Sequence, residues 1–124
     1  MNVQKNTPIA VVGVSNNPEK YGHRVFKDLL HAGYTVTGIN PKGGTVEGET
    51  LVTSLKELIP KPELALIVVP PEIALEVIKE CHTLGIKNVW MQPGAQSKEA
   101  KKFADENKIE LTANACFMVH KHLW

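Results

Sequence analysis

The residues best suited to chemistry sit in short loops, and their types suit holding an anion more than breaking a bond. Gly13-Val14-Ser15-Asn16-Asn17-Pro18-Glu19-Lys20 follows an apolar run. A glycine permits a tight exit from a strand there, while Ser15, Lys20 and the N–H groups entering a following helix can face a phosphate. Taken alone, the same loop also reads as an ordinary strand-to-helix turn. A second loop, Asn40-Pro41-Lys42-Gly43-Gly44, brings the cation Lys42, and Val69-Pro70-Pro71 and Met91-Gln92-Pro93-Gly94 end two further apolar runs. A backbone cradle with Ser15, Lys20 and Lys42 suits a nucleotide carrying phosphate in more than one place.

A nicotinamide dinucleotide is the obvious competitor. Counting G-x-G-x-x-G from Gly13, however, the second and third glycines fall on Ser15 and Pro18. The second strand ends at Asn40, where NAD would need an Asp or Glu to accept from its ribose hydroxyls.

The remaining reactive side chains give weaker signals. Cys81 and Cys116 belong to no C-x-x-C pair and are too few for a disulfide framework. Cys81 falls on the apolar stripe of a helix and reads as core. Cys116 follows the last strand, and reads either as a small packing residue or as an accessible thiol with Lys121 or His120 as a nearby cation. Cys116, His120 and His122 are a thin basis for a metal site. His23 either assists at a phosphate near Lys20 or caps its helix. His31 and His82 have no partner placed by spacing, so no catalytic triad is implied. Lys98, Lys101 and Lys102 alternate with Glu99, Asp105 and Glu106 as a solvated helix face does, without interleaved aromatics for stacking on bases. Leu123 and Trp124 are a packing plug or a contact with another copy.

The elements that must position these loops follow from hydrophobic periodicity. Ile9 to Val14, Tyr34 to Ile39, Leu64 to Val69 and Asn88 to Gln92 read as buried strands, Leu51-Val52 as a very short one, and Ile109 to Thr112 as the last. Between them, Val25, Phe26, Leu29 and Leu30 mark a helix stopped at Gly33, and Ile73 to Cys81 one that opens at Pro71 and closes at Gly85. Ser97 caps a third helix, and Ser54-Leu-Lys-Glu57 has capping-box spacing for a brief one. Strands separated by single helices require crossovers, so the expectation is an α/β, doubly wound, Rossmann-like parallel sheet of about five strands, ordered 3-2-1-4-5. Ligands of such sheets lie beyond the carboxyl ends of the strands, where the order reverses.

The 124 residues are expected to form one domain over 1–124. Fourteen Lys and Arg against thirteen Asp and Glu leave +1, so no global field draws nucleic acid or anionic lipid. No apolar run nears the roughly 18 residues that cross a bilayer. A cytoplasmic, reducing location is expected.

Gly13-Val-Ser15, Asn17-Pro-Glu-Lys20, Gly33-Tyr34, Ile39-Asn-Pro41, Trp90-Met-Gln92 with Gly94, and Cys116 together resemble the small bacterial CoA-binding proteins, over about Ile9 to Met118. Asn40 to Gly44, Leu51 to Leu58 and Val69-Pro-Pro71 are similar to the nucleotide-binding domain of the succinyl-CoA synthetase alpha subunit. The resemblance implies coenzyme A as ligand. It implies Ser15 and the loop that follows it, through Asn17 and Lys20, at the pyrophosphate and Lys42 near the phosphorylated ribose, with Gly13, Val14, Asn40 and Pro41 also among the cofactor-binding residues. Val69 and Pro70 would lie along the adenosine or pantetheine path, with Met91 and Gln92 at its exit. Where many family members read Asp-Arg-Cys, this chain has Asn114-Ala-Cys116. The synthetase's active-site histidine belongs to a second domain, so the expectation is a binder of CoA or acyl-CoA acting as carrier, sensor or subunit. A second copy or another protein stays open as a partner. An enzyme using NAD(P) or another nucleotide, and an interaction module with a vestigial pocket, are the alternatives.

Overall fold

In the computed structural model, which describes all residues 1–124, the apolar runs form the middle of the sheet. Strands β1 (Ile9–Val12), β2 (Val36–Ile39), β5 (Leu64–Ile67), β6 (Asn88–Met91) and β7 (Glu110–Thr112) are all parallel, in the order β2-β1-β5-β6-β7. Every residue of β1 and β5 is buried, as continuous apolar strands covered on both faces must be. One face packs against α1 (Tyr21–His31) and α4 (Phe117–His120), where Val11 and Leu66 meet Val25, Phe26, Leu29 and Phe117. The other packs against α2 (Pro71–Leu84) and α3 (Lys98–Glu106), where Ala10, Ala65 and Val89 meet Ala74, Ile78, Ala100 and Ala104. The fold is thus the expected doubly wound, Rossmann-like one.

Three local features differ from the expectation. Leu51-Val52 forms no full strand: Val52 makes one parallel bridge to Ile39, outside β2, where the third strand was expected. The five strands are therefore completed by β7 at the opposite edge. Between β2 and that bridge lies an unforeseen hairpin, β3 (Thr45–Val46) with β4 (Glu49–Thr50), whose tip residues Glu47 and Gly48 both have positive φ. The capping box does not close either. Ser54 makes no cap bond to the single 3-10 turn Leu55–Glu57, its Oγ is buried without a partner, and the Glu57 carboxylate accepts from the Thr53 hydroxyl at 2.6 Å instead.

Helix ends follow the signals more closely. Ser97 Oγ accepts from Ala100 N–H at 3.1 Å, and Pro71 occupies the first turn of α2. At Gly33 the N–H groups of Gly33 and Tyr34 return to the carbonyls of Leu30 and Leu29. That paired pattern leaves Gly33 left-handed, with φ of 87°. No helix is long and apolar enough to cross a membrane.

The start of α1 is fixed by close approach. A Cβ on Gly22 would overlap the carbonyl oxygen of Gly13, and a Cβ on Gly13 would overlap the carbonyl oxygen of Val68. Backbone is thus packed on backbone from β5 through the β1 loop to α1. Replacing Gly22 by Ala should cost about 1–3 kcal/mol by overpacking. Chemical denaturation checks this, and an unchanged midpoint would show that α1 can slide away freely.

Candidate functional site

Strand order reverses between β1 and β5, and the loops leaving their carboxyl ends diverge there into a cleft of about 490 Å³. Gly13, Ser15 and Lys20 line one side, with Tyr21 and Gly22 from the first turn of α1. Val68, Val69, Pro70 and Pro71 line the other, and Pro93, Gly94 and Ala95 close the far end. A second hollow, about 520 Å³, lies between α3 and the end of β7, lined by Gln96, Ser97, Lys98, Lys101 and Asn114 among others. It stands away from the reversal point, with lysines and Asp105 on its walls.

The first loop is held by its own side chains. Ser15 Oγ accepts from Asn17 N–H at 3.0 Å, and Asn17 Oδ1 accepts from Glu19 N–H at 3.0 Å. Because the Ser15 oxygen already accepts, its hydroxyl hydrogen is left to donate. His23, buried, lies with Nδ1 2.8 Å from the Ser15 carbonyl. A carbonyl only accepts, so Nδ1 carries the proton and the imidazole braces the loop from behind.

Of the residues expected at a ligand, Gly13, Ser15, Lys20, Val69 and Pro70 line the cleft. Val14 is fully buried in the core and Asn17 is exposed on the loop. Asn40, Pro41 and Lys42 form the neighbouring loop at the end of β2 and lie outside the cleft wall. Asn40 spans two loops: its Nδ2 donates to the Val14 carbonyl at 2.8 Å and its Oδ1 accepts from Lys42 N–H at 2.8 Å. Lys42 itself is exposed. Met91 and Gln92 are fully buried and stand behind the cleft rather than on its surface.

Gln92 instead ties three elements together. Its Oε1 accepts from Phe117 N–H at 2.7 Å, while Nε2 donates to Tyr21 Oη at 3.0 Å and approaches Cys116 Sγ at 3.6 Å. Tyr21 Oη lies 3.6 Å from the same sulfur, a contact in which either the hydroxyl or the thiol can donate. Burial, and then the contact with Cys116, push the Tyr21 hydroxyl up to about 12. Partial burial acts to raise the Cys116 thiol, but the Val119 N–H, the Tyr21 hydroxyl, the Met118 N–H and the Gln92 amide together hold it below its ordinary value. The two backbone groups act as oriented dipoles without closing a capping hydrogen bond on the sulfur. Neither expected cation takes part: Lys121 Nζ donates to the Val3 carbonyl and His120 packs beside the Trp90 ring.

Trp124 closes the outer side of this cluster. Its ring centroid is 5.6 Å from that of Tyr21, the Arg24 guanidinium sits 4.7 Å above it, and its Nε1 donates to Asp28 at 2.6 Å. The tail therefore packs on α1 of its own chain. Tyr21 and Gly22 were not expected at the site. The available signal was Gly22 itself, a glycine in the first turn of an amphipathic helix that faces the strand exit. No three His, Cys, Asp or Glu side chains converge as metal ligands would.

An open parallel sheet with a cleft at its reversal point defines a Rossmann-like α/β domain. Residues 7–122 match the family model described as a CoA binding domain, and the chain belongs to that family. It is 39% identical over 82 residues to the alpha subunit of an ADP-forming acetate–CoA ligase II of Pyrococcus furiosus, a stretch covering 65% of this chain and 18% of that subunit. The chain thus spans under a fifth of the length of that ligase subunit. It is also 28% identical to the uncharacterized protein YneT of Bacillus subtilis, over 94% of this chain and 87% of the other. A solved structure of a conserved hypothetical protein from Pyrococcus furiosus superposes with a TM-score of 0.87 at 40% identity, covering 91% of this chain and 97% of that one.

The two thiols should behave oppositely. Cys116 should be alkylated by iodoacetamide at a pH below the roughly 8.5 at which an ordinary cysteine half-ionises, since a lowered pKa leaves thiolate present at lower pH. Fully buried Cys81, pushed up to about 12 by burial above all, should react only after denaturation. Peptide mapping of the labelled protein checks both.

Proposed function

We propose that the chain binds coenzyme A or an acyl-CoA in the cleft between the β1 and β5 loops, as a carrier, sensor or subunit without self-sufficient catalysis. The observation that carries this reading is the position of the cleft. It lies at the reversal point of the sheet, walled by a loop with a free Ser15 donor, Lys20 and a helix N-terminus, in a chain that belongs to a CoA-binding domain family.

In this reading the pyrophosphate lies against Ser15 and the first turn of α1. The ribose 3′-phosphate reaches the exposed Lys42 beyond β2, and the pantetheine arm runs past Val69 and Pro70 toward Gly94. Asn40 contributes by fixing the Lys42 loop to the Val14 carbonyl, and Gln92 by holding Tyr21 in the cleft wall. No His and no carboxylate lines the cleft, which leaves Lys20 and Tyr21 as its titratable side chains. A partner protein would supply any catalytic groups, as a ligase alpha subunit much longer than this chain has room to do. A reducing cytoplasmic setting suits the two free cysteines.

NAD(P) is disfavoured because Ser15 and Pro18 replace fingerprint glycines and Asn40 replaces the acidic residue. Coenzyme A at 100 times its Kd should stabilise the fold by about 2.7 kcal/mol in thermal melts. Equal stabilisation by NAD at matched concentration would overturn the assignment. Lys42→Ala should weaken coenzyme A by roughly 1.5–3 kcal/mol while leaving dephospho-CoA nearly unchanged. Equal losses for both ligands would move Lys42 to the pyrophosphate or to a purely structural role.

A further inference from the structure

The sheet has two edges, and the chain closes only one of them. Outside β2, Val52 donates its N–H to the Gly38 carbonyl and accepts the Asn40 N–H on its own carbonyl, each at 2.9 Å. Outside β7 there is no further strand. Glu110 N–H donates inward to the Lys87 carbonyl at 2.8 Å, so the alternation of a parallel ladder turns the N–H and C=O of Leu111, and the N–H of Ala113, outward. Such an edge is a template for another strand, and sheets that stay single blunt it with Pro, a bulge or a covering element. β7 contains no Pro and pairs with β6 without a bulge. Beside it lies the hollow of about 520 Å³, with Leu111 and Ala113 on the strand side and the exposed Lys98, Lys101 and Asp105 on the α3 side. These charges have an order along the edge. The chain turns back from α3 into β7 over residues 107–109, so Asp105 lies toward the start of β7 and Lys98 toward its end.

We propose that this edge joins a second copy of the same chain, β7 pairing antiparallel with the partner's β7 about a two-fold axis at Thr112, so that the two sheets become one. The edge is self-complementary in three respects, as a two-fold contact must be. Its outward backbone groups match: Leu111 stands opposite the partner's Ala113, both turned outward, and the pair exchanges N–H···O bonds on each side of the axis. Its side chains match, since Leu111 meets an alanine on the α3 face while Thr112 meets its own copy on the other. Its charges match as well. The axis is normal to the sheet, so both α3 helices stand on the same face, and reversal of direction brings Asp105 across from the partner's Lys98 and Lys101. Charges at the border of an interface fix its register more than they add affinity, and here they select the antiparallel arrangement. The interface stands apart from the cleft, so it neither requires nor obstructs the ligand proposed there.

The test is analytical ultracentrifugation of the full chain over a concentration series, beside residue-resolved amide hydrogen exchange. The wild-type chain should pass from one chain mass to two as concentration rises, and the Leu111 and Ala113 amides should exchange about tenfold or more slowly in the concentrated sample than in the dilute one. Two charge variants then read the pairing. Asp105→Lys leaves only lysines on the stripe, and Lys98→Asp with Lys101→Asp leaves only aspartates. All three positions are exposed, so each variant should keep the wild-type thermal midpoint within a few degrees. Each should be monomeric alone where the wild type is dimeric, and an equimolar mixture of the two should form a dimer of one chain of each. A wild-type chain that stays monomeric throughout would overturn the proposal. So would a dimer that leaves the Leu111 and Ala113 amides unprotected, that survives either set of substitutions, or whose two variants fail to associate when mixed.

Discussion

The site depends on one steric constraint, the contact between the Gly13 carbonyl and the α carbon of Gly22. Where that contact is made, no side chain fits on Gly22, so the loop leaving β1 lies directly on the first turn of α1. Everything that faces the cleft from this side follows from it. Ser15 and Lys20 sit on the intervening loop, Tyr21 begins the helix, and the helix N–H groups open toward the space between β1 and β5. On its other side Gly13 rests against the Val68 carbonyl, which ties the opposite wall to the same point. The dinucleotide fingerprint solves the same packing problem with a glycine soon after the strand. Here the loop is longer, and the glycine that admits close packing comes at position 22.

Gln92 supports this arrangement from within. A fully buried amide must find partners or cost of the order of 1–3 kcal/mol per orphaned group. This one satisfies its oxygen on the Phe117 N–H and divides its donors between Tyr21 and Cys116. The chain after β7 is thereby fixed relative to α1, and the Trp124 ring seals the outer side against Tyr21. The geometry of the thiol is thus a consequence of how the end of the sheet is closed.

Much of the architecture was legible in the sequence because strands buried on both faces leave unbroken apolar runs, and single helices between them permit few topologies. The loops at the carboxyl ends were legible for the same reason. Side-chain direction at those ends was not. Val14, past the left-handed Gly13, packs with Ile9 and Val11 in the core, and Met91 at the end of β6 and Gln92 just after it are fully buried, so three residues expected at the ligand stand behind the surface that would meet it. The Leu51-Val52 strand reduced to one bridge because the intervening chain spends itself on the β3–β4 hairpin, whose Glu47-Gly48 tip carries no strong turn signal. The Ser54 box failed because Glu57 found a nearer donor in Thr53. Gly22 was overlooked because glycine inside a helical pattern reads as a defect until the backbone it admits is seen.

The most direct test of the cleft as the nucleotide site is a backbone amide titration by NMR with coenzyme A. The largest shift changes are expected from Gly13 to Gly22, at Val68, Val69 and Gly94, and at Lys42, while the hollow beside α3, at Gln96, Lys98, Lys101 and Asn114, stays unchanged. Changes concentrated on that second hollow, with the Gly13 to Gly22 loop unmoved, would contradict the account.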